Sequence, residues 1–362
     1  SWITQISGNL FSQQLFYENP MPQGSAIYGG NISGISWTTN NITRNYRFSY
    51  DGLSRITKAD YSGPGNFYSS YQYDKHGNIT KLSRFGNTDS GNYGITDLVS
   101  FYYNGNQLKK ADDAAIQIFN NLSADFKNYA DADVEYSYNK NGALTKDLNK
   151  GITDIQYNLL NLPSQVKFSD GSTITYTYGA DGVKLRTVHK IGGVATTTDY
   201  CDNVIYENGT AKQLLTEEGY VSLSDKKYHY YLKDHQGNNR VVINQTGVIE
   251  QINHYYPFGG LFEVNTATSG IQSYKYNGKE LDRMHGLDWY DYGARMYDGA
   301  LGRFMAVDPL SEKYYSFNPY AYCLNNPIKL IDSDGKQVYI PALPLTLPPP
   351  VYVPYSQSNA YP

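Results

Sequence analysis

The side chains best suited to chemistry are thinly spread in this 362-residue sequence. Six histidines (His76, His189, His229, His235, His254 and His285) show no metal-ligand spacing. His76 and His235 fall in turn phrases, where hydrogen bonding to the backbone is the ordinary role. Cys201 and Cys323 are too few for a disulfide framework or a cysteine-based zinc site. Asp332-Ser333-Asp334-Gly335 opens like a calcium loop but lacks the third acid and the closing bidentate Glu, so it reads as a turn. No P-loop, dinucleotide glycine motif or Ser/His nucleophile pattern stands out. Neither a cofactor nor a metal is expected.

The elements behind these residues are set by an unusual composition. Tyr occurs 38 times and Gly 33, while hydrophobic residues together make 40% and mean hydropathy is -0.55. This is not the Leu/Ala/Val balance of a compact enzyme core, but tyrosine buries a large ring while its hydroxyl finds water or a partner. Thirty basic residues against 34 acidic ones leave no basic stripe for nucleic acid. No run of about 18 apolar residues is present to span a membrane. The chain begins at Ser1 with no leader pattern, so the true N-terminus and any export signal are expected upstream.

A phrase recurs: an alternating strand ending in Tyr-Asp or Tyr-Asn, a Gly- or Asn-bearing turn, then a second short strand. It reads FSYDGLSRITKA from Phe48, YQYDKHGNITKL from Tyr71, FYYNGNQLKKA from Phe101 and YSYNKNGALTKD from Tyr136. Weaker copies start at Ile155 and Thr175. The anchoring tyrosines are Tyr50, Tyr73, Tyr103, Tyr138, Tyr157 and Tyr178, spaced 23, 30, 35, 19 and 21 apart. Each copy predicts a β-hairpin whose Asp-Gly, Asn-Gly or His-Gly-Asn supplies the positive-φ turn position. One hairpin is marginal in water, so the six must stack into one long curling antiparallel sheet. Between Ala111 and Ala130, residues Ile116, Phe119, Leu122, Phe126 and Tyr129 fall three and four apart, which predicts a helical insertion.

The repeats resemble the YD repeats of RHS proteins, found in bacterial polymorphic toxins, insecticidal toxin complexes and animal teneurins. HYYLKDHQGNNRVVINQTG from His229, NHYYPFGG from Asn253, and the long phrase from Tyr274 to Lys336 resemble the family's core domain. The resemblance covers roughly residues 44 to 336. It implies an all-β fold of repeated hairpins that curl into a hollow shell closed by the core domain, with a C-terminal effector held inside. The organisation expected is 1–43 irregular, 44–228 hairpin repeats, 229–336 core domain and 337–362 a proline-rich tail.

In toxin members of the family the core domain severs the effector by an aspartyl-protease-like self-cleavage, in which two carboxyls share acid and base roles. Arg303 and Asp308 in GRFMAVDP match the family's Gly-Arg and Asp-Pro. Phe317 stands where the resemblance places a second acid. DSDGK departs from the family's Asp-Pro-x-Gly-Leu, leaving Asp332 or Asp334 to supply the second carboxylate. Without such chemistry, Asp308 would order a turn before Pro309 and Arg303 would pair with a neighbouring carboxylate. The 26 residues after Lys336 read as an extended tail and not as a toxin domain.

The resulting expectation is a bacterial, secreted or cell-surface scaffold that encapsulates or presents a C-terminal polypeptide. Its partners would be that polypeptide and upstream repeats, with no nucleic acid and no membrane span. A rival is an adhesin that binds glycan or protein through exposed rings such as Trp289, Tyr290 and Tyr292. A third reading is a self-cleaving enzyme built on Asp308.

Overall fold

The computed structural model describes residues 2–89, 91–115, 123–263 and 272–341. Among them the chain is almost entirely antiparallel β-structure, with strands pairing in strict chain order. Nine strands from Gln5–Ile6 to Gln107–Asp113 form one sheet, and thirteen from Tyr136–Tyr138 to Ile249–Ile252 form a second. The two abut where Glu135 N donates to Lys109 O at 2.9 Å and Leu108 N to the Tyr138 hydroxyl at 3.2 Å. Within residues 1–43, Gln5–Ile6, Phe11–Phe16 and Gly34–Thr39 are strands of the first sheet. The second sheet continues past residue 228 to Ile252.

Each hairpin is built by its own local chemistry. In the second repeat, Asp74 Oδ1 accepts from His76 N and Asn78 N at 2.8 Å each. Asp51, Asn139, Asn158 and Asp234 fold their turns with the same pair of bonds, to the second and fourth residues on. The residue third after the acid takes the left-handed backbone, Gly77 at φ 82° and Gly237 at 76°. In the first repeat that residue is Ser54 at 63°, and Gly52 of the Asp-Gly pair does not have positive φ.

The six repeat tyrosines share a second device. Strand register shifts at every one: between Ser49 and Tyr50, Gln72 and Tyr73, Tyr102 and Tyr103, Ser137 and Tyr138, Gln156 and Tyr157, and Thr177 and Tyr178. A bulge bends its strand and re-aims the side chain. The Tyr73 hydroxyl thereby reaches Ile56 O at 2.6 Å, Tyr103 reaches Ile79 O at 2.7 Å, and Tyr157 reaches Leu144 O at 2.6 Å. Ile56, Ile79 and Leu144 each open the strand that follows the preceding turn. Each of these three tyrosines therefore stitches its hairpin to the one before, with about 1 kcal/mol per bond added to the burial of its ring.

The expected helix is not borne out in the described part of 111–130. Ala111 to Asp113 end a strand, and 123–130 are irregular. Ile116, Phe119 and Leu122, which carried half of the spacing, lie outside the described residues. Backbone donors of the described part go to distant acceptors instead, Phe126 N to Asp97 Oδ1 in the first sheet at 2.7 Å and Ala130 N to Asn149 Oδ1 at 3.0 Å. Helical segments among the described residues are three-residue 3₁₀ turns, such as Leu148–Lys150 and Cys323–Asn325.

After Ile252 the chain leaves the ladder and lies across both sheets. The Trp37 indole donates to His254 at 3.2 Å, and Arg44 pairs with Glu263 at 2.8 Å. Asn326 donates to Ser54 O, Asn325 to Gly77 O, Asn318 to Asn78, and Tyr320 to Gly142 O. Further along, Lys150 pairs with Asp298 and Lys184 with Glu280. A four-stranded sheet, Glu280–Asp282, Trp289–Asp291, Met296–Asp298 and Arg303–Phe304, stiffens this segment. One hydrophobic cluster joins Phe11, Trp37 and Ile174 of the ladders to Tyr255, Tyr297 and Phe304 of the segment. Trp289, Tyr290 and Tyr292 are buried within it at 2%, 2% and 1% exposure, so these rings offer no adhesin surface. No helix among the described residues is long and apolar enough to cross a membrane.

Candidate functional site

Two of the carboxylates singled out from the sequence, Asp308 and Asp332, converge on a residue that was not. Arg295 closes the turn between strands Trp289–Asp291 and Met296–Asp298, a turn held by Tyr292 N donating to Arg295 O at 3.1 Å. The side chain is buried and lies over the Phe304 ring, 3.7 Å from its centroid. Its Nη2 donates to Asp308 Oδ2 at 3.0 Å and to Asp332 Oδ2 at 3.4 Å. Its Nε donates to Gly335 O at 2.6 Å and its Nη1 to Pro319 O at 3.0 Å. A lysine could not make this set, because only the planar guanidinium directs donors along several fixed axes.

Asp308 also orders the turn expected of it, its Oδ1 accepting from Leu310 N at 2.7 Å. Asp332 is fully buried, and its Oδ1 accepts from Gly335 N at 2.7 Å and from Asp334 N and Lys336 N at 3.2 Å. Burial pushes the Asp332 carboxyl up to about 6, against the pull of Arg295 and the backbone donors. The hairpin it anchors pairs Ile331 with Tyr339 and Asp332 with Val338, leaving Asp334 and Lys336 exposed at its tip. Asp334 serves that tip, its Oδ1 accepting from Lys336 N at 3.0 Å and Gln337 N at 3.2 Å. The Lys279 amine holds Ser333 O at 2.5 Å from the other side.

Arg303 lies elsewhere. It donates to Asn106 O at 2.7 Å and faces the rings of Tyr103 and Tyr320. Its expected carboxylate partner is not found among the described residues; a backbone carbonyl and two ring faces take that place. Phe317 is 48% exposed on a loop and does not join the cluster. Cys323 is buried beside Asp332, and burial raises its thiol well above the ordinary value. No group of three or more His, Cys, Asp or Glu suited to a metal occurs among the described residues.

Chemically, the arrangement offers a carboxyl that changes protonation near pH 6, a second carboxylate across a shared guanidinium, and a carbonyl, Gly335 O, polarised by the same cation. These groups are buried or half-buried at the base of a hairpin whose tip residues, Asp334 and Lys336, are exposed. Arg295 escaped the sequence reading, although a lone Arg in the aromatic phrase WYDYGARMYD was a signal that could have found it.

No protein-family model matches the chain. Over 220 residues it is 31% identical to salivary gland surface protein 1 of Aedes aegypti, covering 54% of this chain and 6% of that protein. Over 305 residues it is 23% identical to toxin subunit YenC1 of Yersinia entomophaga, covering 78% of this chain and 30% of the subunit. In structure it is similar to a chain of the TcdB2-TccC3-Cdc42 crystal structure, with a TM-score of 0.59, 17% identity, and coverage of 90% of this chain and 18% of that one. The chain therefore spans a minor part of each of these proteins, and what it shares with the toxin-complex polypeptide is the fold of that part.

Proposed function

We propose that this chain is part of a bacterial RHS/YD-repeat protein, secreted or displayed at the cell surface, whose work is structural. The hairpins form wall, residues 229–336 form the core domain that lies against it, and together they encapsulate or present a C-terminal polypeptide. The observation that carries this reading is the course of the core domain and of its turn at 234–238. Their contacts run from Gln13 in the first sheet to Tyr200 in the second, as those of a closing element must. Likeness to toxin-complex subunits in sequence and fold supports it. An electron-microscopy structure of the parent protein tests it. The expected result is a strand ladder continuing from the Gln5–Ile6 edge around a cavity that the chain enters after Pro341. An open sheet with no enclosed volume overturns it.

A second reading, self-cleavage near Lys336, is favoured by the meeting of Asp308 and Asp332 on Arg295. In that reading Asp332 and Asp308 divide the acid and base roles, and Arg295 holds the carbonyl side of the tip. The intact mass of the purified chain decides it. Loss of about 26 residues, abolished in both Asp308→Asn and Asp332→Asn, supports self-cleavage; a full-length mass in all three chains leaves the cluster a purely structural lock.

A further inference from the structure

A cavity of about 310 Å³ opens where the second sheet meets the Asp332 hairpin. Its walls include Leu215, Tyr231 and Asn239 from the sheet, Tyr274 from the core segment, and Ile331 and Tyr339 from the hairpin. That volume is at the low end of ligand pockets and suits two or three aliphatic side chains. Elsewhere on the two residues, the Tyr231 hydroxyl and Asn239 Oδ1 are buried without a hydrogen-bond partner among the described residues.

The chain itself supplies an occupant of that chemistry. Tyr339 lines the cavity, and the described residues end two positions later at Pro341. From Ala342 the sequence runs ALPLTLPPPVYVPYSQSNAYP, and residues 337–362 contain no Asp, Glu, Lys, Arg or His. Proline-rich segments lose little entropy on docking and favour grooves lined by aromatic rings. Leu343 lies four residues beyond Tyr339 in sequence, a tether of at most about 14 Å, which sets an effective concentration on the order of millimolar at the cavity.

We propose that this cavity seats the chain's own C-terminal tail, with Leu343 and Leu345 entering between Tyr231, Tyr274 and Tyr339. The inference rests on the reading that this fold holds its own C-terminal polypeptide, and it names the first point of hold. Because Ser333 and Asp332 also border the cavity, a seated tail stays attached to the body whether or not the hairpin tip is cut.

The test uses the full chain beside a Leu343→Asp, Leu345→Asp double variant, whose changes leave every described residue intact. Hydrogen exchange is followed over residues 231–239 and 274–279, together with thermal unfolding. The expected result is faster exchange in both segments of the variant and melting lower by about 2 °C or more, with protection restored by a free peptide of residues 340–350. Equal exchange and equal melting in the two chains overturn the proposal. So does equal protection with a hydrophobic dye entering the cavity of both, which assigns the cavity to a foreign apolar ligand. If intact mass shows that the chain cuts itself, co-elution of the released tail with the body supports seating, and separation overturns it. These readouts do not depend on whether the parent protein encloses a volume, so failure here and failure of the scaffold reading are told apart.

Discussion

Asp308 and Asp332 meet on a single nitrogen, Nη2 of Arg295, at 3.0 and 3.4 Å. One carboxylate comes from the Asp-Pro turn and the other from the terminal hairpin, so the guanidinium ties three separate loops into one unit. Two carboxylates on one buried cation leave a surplus negative charge. Desolvation is the main reason why the Asp332 carboxyl holds its proton nearer neutrality than an ordinary one does, with the neighbouring Asp334 charge adding to it against the pull of Arg295.

Arg295→Met should be strongly destabilising, by about 3–5 kcal/mol, because it strands two carboxylates and the Gly335 and Pro319 carbonyls without their donor. Arg295→Lys should recover only part of this loss, since one ammonium cannot reach all four acceptors. Urea unfolding of the three chains gives both values; equal stability of Lys and wild-type chains would contradict the geometry.

Tyr73→Phe should cost about 1 kcal/mol, having removed the bond that closes on Ile56 O. Tyr178→Phe should be neutral or stabilising, because the Tyr178 hydroxyl is buried with no hydrogen-bond partner among the described residues. Chemical denaturation of the pair separates a stitching tyrosine from a merely packed one. A similar loss at both positions would show that ring burial, and not the hydroxyl, joins the hairpins.

Asp125 sets a pH dependence. Both its carboxylate oxygens lack hydrogen-bond partners among the described residues, the Lys127 amine stands 3.8 Å off, and burial pushes the carboxyl up to about 7. A folded-state value above the unfolded one means that the native protein binds the extra proton between about pH 4 and 7. Stability therefore falls as pH rises through that window. Asp125→Asn should leave stability nearly unchanged at pH 4 and raise it at pH 7.5 by an amount on the order of 1–4 kcal/mol. Thermal melts of both chains across this range check the sign; a gain at pH 4 that vanishes at pH 7.5 would refute it. Asp147, buried and also raised to about 7, contributes in the same direction.

The hairpin ladder could be read from the sequence because its chemistry is local. In most copies an acid or amide, a left-handed residue three positions on and a preceding tyrosine lie within one short phrase, although in the first repeat Ser54 and not Gly52 takes the left-handed place. The bulge at each tyrosine was not legible, since it appears only when the neighbouring strand is in place. Over residues 123–130 the helical spacing misled because local periodicity competed with waiting acceptors, Asp97 in the first sheet and Asn149 in a 3₁₀ turn of the second ladder. The candidate site was half legible. Asp308 and Asp332 stood out by motif, but Arg295 acquires its meaning from packing between segments, and Arg303 looked equivalent until the fold placed it against Tyr103 and Tyr320.

The claim that this fold shelters a C-terminal polypeptide is tested most directly by protease protection. A small folded reporter is fused after Pro362 in the longest natural form of the protein, and its digestion is compared with that of the free reporter. The account predicts that the fused reporter survives until the hairpin wall itself is cut. Digestion at the free reporter's rate, with the wall intact, would contradict it.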